Sequence, residues 1–222
     1  MIAIDLMSGD VDFKHRLNAV RVVLKKQSEI QLLLVGSAEA ISYCQETIPK
    51  HWQHRVSYHE SLQVIAMDED PVKVLRAKRR SSMHEALDLV KQGKALGCVS
   101  AGNTGALAAV SHYKLKRIQG IQRPALLSFF PTLKAEKTLY VLDLGANVEC
   151  NKKNLVDFSI MGASLYKSLY PHETPKTALL NIGSEELKGN EIIKETFQLL
   201  NEKKSHNFKF SGYIEGNELM DG

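Results

Sequence analysis

The chain has 222 residues, 44% of them hydrophobic and 24% charged, with a net charge of +4. That length can bury one substantial core, and the composition is that of an ordinary globular domain. The mild charge, with no aromatic-interleaved basic motif, excludes a dedicated nucleic-acid binder. No apolar run approaches the ~20 residues of a membrane span. The opening residues Met1 to Asp5 lack the charged head and long apolar stretch of a signal peptide, so the expected location is the cytoplasm. Cys44, Cys98 and Cys150 are an odd number without paired spacing and make no disulfide framework.

Ile2 to Leu6 reads as a buried strand ending at Met7-Ser8-Gly9-Asp10, and Leu17, Val20 and Leu24 mark the helix after it. Leu32 to Gly36 is a second buried strand, and Ser37 can cap a helix running toward Thr47. Cys44 with His51, His54 and His59 invites a zinc reading. The spacing fits no standard ligand pattern, and Pro49 and Trp52 break up the segment, so a surface loop is expected and no metal. Val56 to His59 is a weaker strand, and Pro71 opens a short basic helix. Ser82-Met83-His84-Glu85 reads as a capping box for a helix with Met83, Leu87 and Val90 on one face, stopped at Gly93.

Gly97 to Val99 is a short strand leading into Gly102-Asn103-Thr104-Gly105 and a helix. Ala125 to Phe130 and Leu139 to Leu144 are two more strands. Leu155, Phe158, Gly162, Leu165 and Leu169 form a long helical stripe. Lys176 to Ile182 is a strand, Ser184 caps a helix bearing Ile193, Phe197 and Leu200, and Phe208 to Ile214 is the last strand. Strands apolar on both faces, alternating with amphipathic helices, predict one α/β unit over 1–222 with a mainly parallel sheet covered on both sides.

The chemistry should lie beyond the carboxyl ends of the strands. Three strands end in Gly and Asn: Gly102-Asn103, Gly145-Ala146-Asn147 and Asn181-Ile182-Gly183. An isolated Gly-x-x-Gly is usually a plain strand-to-helix turn. At Gly102 to Gly105, however, Asn103 or Thr104 suits the N-cap, the glycines permit positive φ and close approach, and no acid occupies the first turn of the helix. Its amides and positive dipole end are open to an outside anion, with phosphate the usual one. Glu185 and Glu186 after Ser184, and Glu149 after Asn147, would repel phosphate at the other two ends.

Between Lys73 and Arg80 there are five basic residues and no acid. Such a run is by default a solvated face, and alternatively a docking site for an acidic partner. No Gly-x-Gly-x-x-Gly follows the first strand, and P-loop and Gly-x-Ser-x-Gly motifs are missing, so no nucleotide cofactor and no serine nucleophile are expected. A cysteine nucleophile is disfavoured, with Cys98 inside a strand and Cys150 following an acid.

The stretch from Val99 to Leu107 resembles the hallmark of the bacterial phosphate acyltransferase (PlsX) family of phospholipid synthesis. Ser81-Ser82-Met83, Arg123-Pro124-Ala125-Leu126, Leu142 to Asn147, Leu179 to Gly183 and Lys188-Gly189 follow in that family's order. The resemblance implies a three-layer α/β/α sandwich, isocitrate/isopropylmalate dehydrogenase-like and phosphotransacetylase-like. It also implies reversible transfer of a long-chain acyl group from acyl carrier protein to inorganic phosphate, without cofactor. Phosphate is then the nucleophile and a thiolate the leaving group, so positioning and oxyanion donors suffice.

On that reading Ser100, Gly102, Asn103, Thr104 and Gly105 hold phosphate with help from Arg76 and Ser82. Asn147 and Asn181 are oxyanion donors, with Asn103, Thr104 and Asp143 beside them in the reaction centre. Asp143 either orients these groups or, with Asn147, only satisfies loop amides. Lys73, Lys78, Arg79 and Arg80 would dock the acidic carrier protein. The resemblance further implies a homodimer, peripheral contact with the membrane, and a membrane-bound acyltransferase as consumer of the acyl phosphate.

Two departures stand out. The family's first strand usually ends Met-Gly-Gly-Asp, where this chain has Met7-Ser8-Gly9-Asp10. Members of the family also continue past the equivalent of Gly222, so the portion that follows there is expected to be lacking. The alternatives are a non-catalytic form that binds carrier protein or phosphate, a phosphate acyltransferase using acyl-CoA, and an oxidoreductase on a similar sheet.

Overall fold

The computed structural model describes residues 1–135, 137–183, 189–202 and 207–221, and packing divides the chain into two compact units, 1–116 and 117–222. In the first unit, β1 (Ile2–Asp5), β2 (Leu32–Gly36), β3 (Val56–Glu60) and β4 (Cys98–Val99) form a wholly parallel sheet in the order β3-β2-β1-β4. Its middle is apolar on both faces because successive side chains of β2 enter different cores. Leu32 and Leu34 pack with Leu17, Val20 and Leu24 of α1 (Phe13–Lys26) and with Ala40 and Cys44 of α2 (Ala38–Thr47). Leu33 and Val35 pack with Ala86 and Leu89 of α4 (Ser82–Lys91).

From β3 the chain returns through α3 (Pro71–Ala77) and α4 to β4, on the far side of β1. The strand order therefore reverses between β1 and β4. In parallel α/β sheets that switch point opens the crevice in which ligands sit. Helix α5 (Thr104–Leu115) leaves β4 there, and its Ala106 and Val110 are buried with Val74 of α3 and Met83 and Leu87 of α4.

Several local signals read as expected. Ser37 caps α2, Pro71 opens α3, and Gly93 ends the segment after α4 at φ +72; the cap of α3 is Asp70, which the sequence reading did not name. The cap of α4 is one residue earlier than the sequence indicated. Ser81 accepts from His84 N at 3.3 Å, and Ser82 lies inside the helix. Glu85 is therefore not a capping partner; it takes His59 Nε2 at 3.0 Å and Arg80 Nε at 2.9 Å.

The segment expected as a loop around Pro49 and Trp52 is a 3-10 helix, Lys50–Arg55. Its Arg55 donates to the carbonyls of Leu24, Gln27 and Ser28, closing the end of α1. Cys44 is buried in the α1–α2 core, where burial pushes its thiol up to about 11, while His51 sits edge-on to Trp52.

The second unit contains an antiparallel pair, β5 (Leu127–Pro131) with β6 (Thr138–Leu142), and a parallel pair, β7 (Lys176–Leu180) with β8 (Lys209–Ile214). The antiparallel pair is an exception to the parallel pattern read from the sequence, because the short link after Pro131 cannot carry a crossover. Helices α6 (Lys152–Leu169) and α7 (Glu191–Glu202) cover the strands around Val156, Ala163, Leu179, Leu200 and Phe208.

The apolar stripe expected on α6 is only partly its buried face. Phe158 is buried and Gly162 lets β6 approach, since a Cβ there would lie 3.0 Å from Leu142 Cδ1, but Leu169 is 53% exposed. The polar residues Asn154 and Asp157 are buried instead, because both bond Gln122. The cap expected at Ser184, with Glu185, Glu186 and Lys188, lies outside the described residues. No helix among the described residues is long and apolar enough to cross a membrane.

Candidate functional site

The carboxyl end of β4 turns into α5 through Ser100 to Gly105. Asn103 is the N-cap: its Oδ1 accepts from Ala106 N at 2.9 Å, and the first turn of α5 carries no acid. Gly102 N donates to Ser100 Oγ at 3.2 Å. The amides of Asn103, Thr104 and Gly105 donate to nothing among the described residues. Three N–H groups at the positive end of a 12-residue helix thus face the switch point, which is the arrangement that binds anions.

The two glycines serve packing rather than unusual φ, since neither is among the positive-φ residues. A Cβ on Gly102 would stand 2.6 Å from Ser8 Cβ and 2.8 Å from Met83 Cε, and one on Gly105 would stand 2.9 Å from Pro71 Cγ. The elbow is pressed between the β1–α1 loop and the start of α3. Gly102→Ala is expected to cost about 1–3 kcal/mol through this overlap, measured as a lowered urea midpoint with an unchanged slope.

Two of the side chains expected to hold phosphate, Asn103 and Ser100, have other partners. The carboxamide of Asn103 caps the helix with its oxygen and donates through Nδ2 to Met67 O at 2.7 Å and Glu69 O at 3.2 Å. It fixes the loop before α3 to the elbow. Ser100 donates its one hydroxyl hydrogen to Asp5 Oδ2 at 2.7 Å. Ser82 is fully buried, and its hydroxyl has no partner among the described residues. Arg76 is exposed on α3.

The basic run divides in two. Lys78 pairs with Glu69 at 2.7 Å and donates to Val64 O, and Arg80 pairs with Glu85. Lys73, Arg76 and Arg79 are exposed and have no ion pair among the described residues. Asp5, which sequence reasoning passed over, is the buried acid at the end of β1. A lone carboxylate closing an apolar strand was the available signal.

The other two Gly/Asn strand ends belong to the second unit. After β6, Asp143 Oδ1 accepts from Leu126 N at 2.7 Å and Ala146 N at 3.2 Å. Its Oδ2 accepts from Asn147 N at 2.8 Å and Asn147 Nδ2 at 3.0 Å. Asn147 Nδ2 also donates to Pro124 O at 2.8 Å, so both its hydrogens are engaged and it clamps its own loop instead of offering an oxyanion donor. Asn181 is buried after β7, and its Nδ2 donates to Gly183 O at 3.0 Å.

The cysteines are poor nucleophiles. Burial pushes the Cys98 thiol up to about 12, and burial followed by the nearby Asp143 raises that of Cys150.

A parallel sheet with a reversed strand order, covered by helices on both faces, defines an α/β protein, and solved structures share its three-layer fold. The EutD phosphotransacetylase from Staphylococcus aureus superposes with a TM-score of 0.65 at 15% identity, covering 96% of this chain and 68% of its own. A branched-chain phosphotransacylase from Enterococcus faecalis V583 does so with a TM-score of 0.60 at 16% identity, covering 97% and 68%. Over residues 1–222 the chain belongs to the family described as Fatty acid synthesis protein.

Its relatives include the phosphate acyltransferases of Pelagibacter ubique (strain HTCC1062), 43% identical over all of this chain, and of Coxiella burnetii (strain Dugway 5J108-111), 42% identical over 99% of it. The chain spans 65% and 64% of those two proteins' lengths.

Proposed function

We propose that the protein transfers a long-chain acyl group from acyl carrier protein to inorganic phosphate, giving an acyl phosphate for phospholipid synthesis. The observation that carries this reading is the tip of α5, where three backbone amides are unpaired among the described residues and the first turn of the helix carries no acid. The names of the relatives support the same chemistry. A phosphate oxygen attacks the thioester carbonyl carbon, the carbon–sulfur bond of the tetrahedral intermediate breaks, and the thiolate leaves to take a proton from water. The reverse reaction uses the same groups. Phosphate ionised at neutral pH needs no strong base, so the protein's task is to hold it in line with the carbonyl.

In this reading the amides of Asn103, Thr104 and Gly105 and the Thr104 hydroxyl hold phosphate, and Gly102 gives the elbow its shape. Asp143 and Asn147 support their own loop, and neither acts as a base. Phosphate-dependent release of free thiol from a long-chain acyl carrier protein tests the reading, with acyl-CoA as the competing carrier. A folded chain that binds phosphate and releases no thiol from either carrier would establish the non-catalytic alternative.

Carrier docking falls to the exposed cations of α3 and the turn after it. The triple change of Lys73, Arg76 and Arg79 to Glu is expected to weaken carrier binding at least about tenfold at low salt, and the effect should shrink as salt rises. Calorimetry at two ionic strengths measures it. Changing only Lys78 and Arg80 should do less, since both already hold carboxylates. Homodimer formation, peripheral membrane contact and delivery to a membrane-bound acyltransferase complete the proposal.

A further inference from the structure

One buried carboxylate joins the two loops that leave the sheet at its switch point. Asp5, 1% exposed at the end of β1, accepts at Oδ1 from Met7 N (3.1 Å) and Ser8 N (3.2 Å), and at Oδ2 from Ser100 Oγ (2.7 Å). A hydroxyl has one hydrogen and a carboxylate can only accept, so that hydrogen points at Asp5. The lone pairs of Ser100 face the elbow, where Gly102 N donates to them at 3.2 Å. The same two loops also touch directly. A Cβ on Gly102 would collide with Ser8, and one on Gly9 would stand 2.9 Å from Ala101 O.

We propose that Asp5 and Ser100 are positioning residues for the anion at the tip of α5. This rests on the reading of that tip as the phosphate site. Asp5 fixes the direction of the Ser100 hydroxyl, Ser100 occupies the Gly102 amide, and the next three amides are left without an acceptor among the described residues. Ser100 does not donate to the anion. Its effect on binding passes through the backbone it holds, and Asp5 ties the β1–α1 loop to the same arrangement.

Amide exchange and titration with inorganic phosphate, followed by NMR on the full chain, test the proposal. In the unmodified chain phosphate should shift the amides of Asn103, Thr104 and Gly105. Ser100→Ala should speed exchange at Gly102 and weaken phosphate about tenfold. Ser100→Thr, which keeps the hydroxyl, should restore both. Asp5→Asn, which offers Ser100 a donor in place of an acceptor, should weaken phosphate to a similar degree with Ser100 intact.

Full phosphate affinity in Ser100→Ala, or a Ser100→Thr variant as weak as Ser100→Ala, would overturn the proposal. If Ser100→Ala does not fold, Ser100→Thr and Asp5→Asn decide it: equal affinities overturn it. Amides unmoved by phosphate in the unmodified chain would overturn the functional reading instead. Exchange at Gly102 would then still decide whether Asp5 and Ser100 set the elbow.

Discussion

Asp143→Ala is expected to lower stability by about 3 kcal/mol, because four N–H donors on half-buried residues lose a charged acceptor. The melting temperature should fall by roughly 6–12 °C. Leu126, Ala146 and Asn147 all converge on this carboxylate, so the loop after β6 and the strand end opposite it loosen together. Asp143→Asn should be nearly as damaging. Whichever way its amide turns, an N–H group meets other N–H donors. A general base would behave differently, since the Asn variant would then fold normally and lose only turnover. Thermal unfolding of both variants, compared with phosphate-dependent thiol release, separates the two roles.

The second large effect is expected at Asn103. Asn103→Asp keeps the capping oxygen that accepts from Ala106 N, and a negative charge at a helix N-terminus is favourable to the helix. It also turns a second oxygen toward Met67 O and Glu69 O, where the amide now donates, and places a fixed charge beside the proposed anion. Repulsion of about 3 kcal/mol at partly screened distances corresponds to roughly a hundredfold loss of phosphate affinity. Asn103→Ala should cost about 1 kcal/mol of stability as a lost cap and release the loop before α3, with a smaller loss of affinity. Calorimetric titration with phosphate measures both. An Asn103→Asp variant that binds phosphate normally would place the anion away from α5.

The two predictions mark where sequence reading stopped. The Gly-Asn-Thr-Gly elbow was legible because a cap residue, two glycines and a helix without a leading acid are all local features. Its open amides follow from that local chemistry and are present. The side-chain partners of Asn103 and Ser100 could not be read from the sequence, for one shared reason. A polar side chain near a site looks available until its nearest neighbours in space are known. Met67 and Glu69 are far from Asn103 along the chain, and Asp5 is farther still from Ser100. The same limit applies to Asn147, whose carbonyl partner Pro124 lies on another segment. It applies as well to Lys78 and Arg80, counted as free cations before Glu69 and Glu85 came into view.

Periodicity and turn residues by themselves determined the order of strands and helices and the position of the elbow, because each is set by interactions within a few residues. The alternation of doubly apolar strands with helices implied a mainly parallel sheet. Only the tertiary structure decided that β4 pairs with β1, that β5 and β6 run antiparallel, and that Asp5 accepts from Ser100 at the elbow. Hydrogen bonds between distant segments leave no periodic trace in a chain. Their partners are chosen by which strand ends the packed cores bring together.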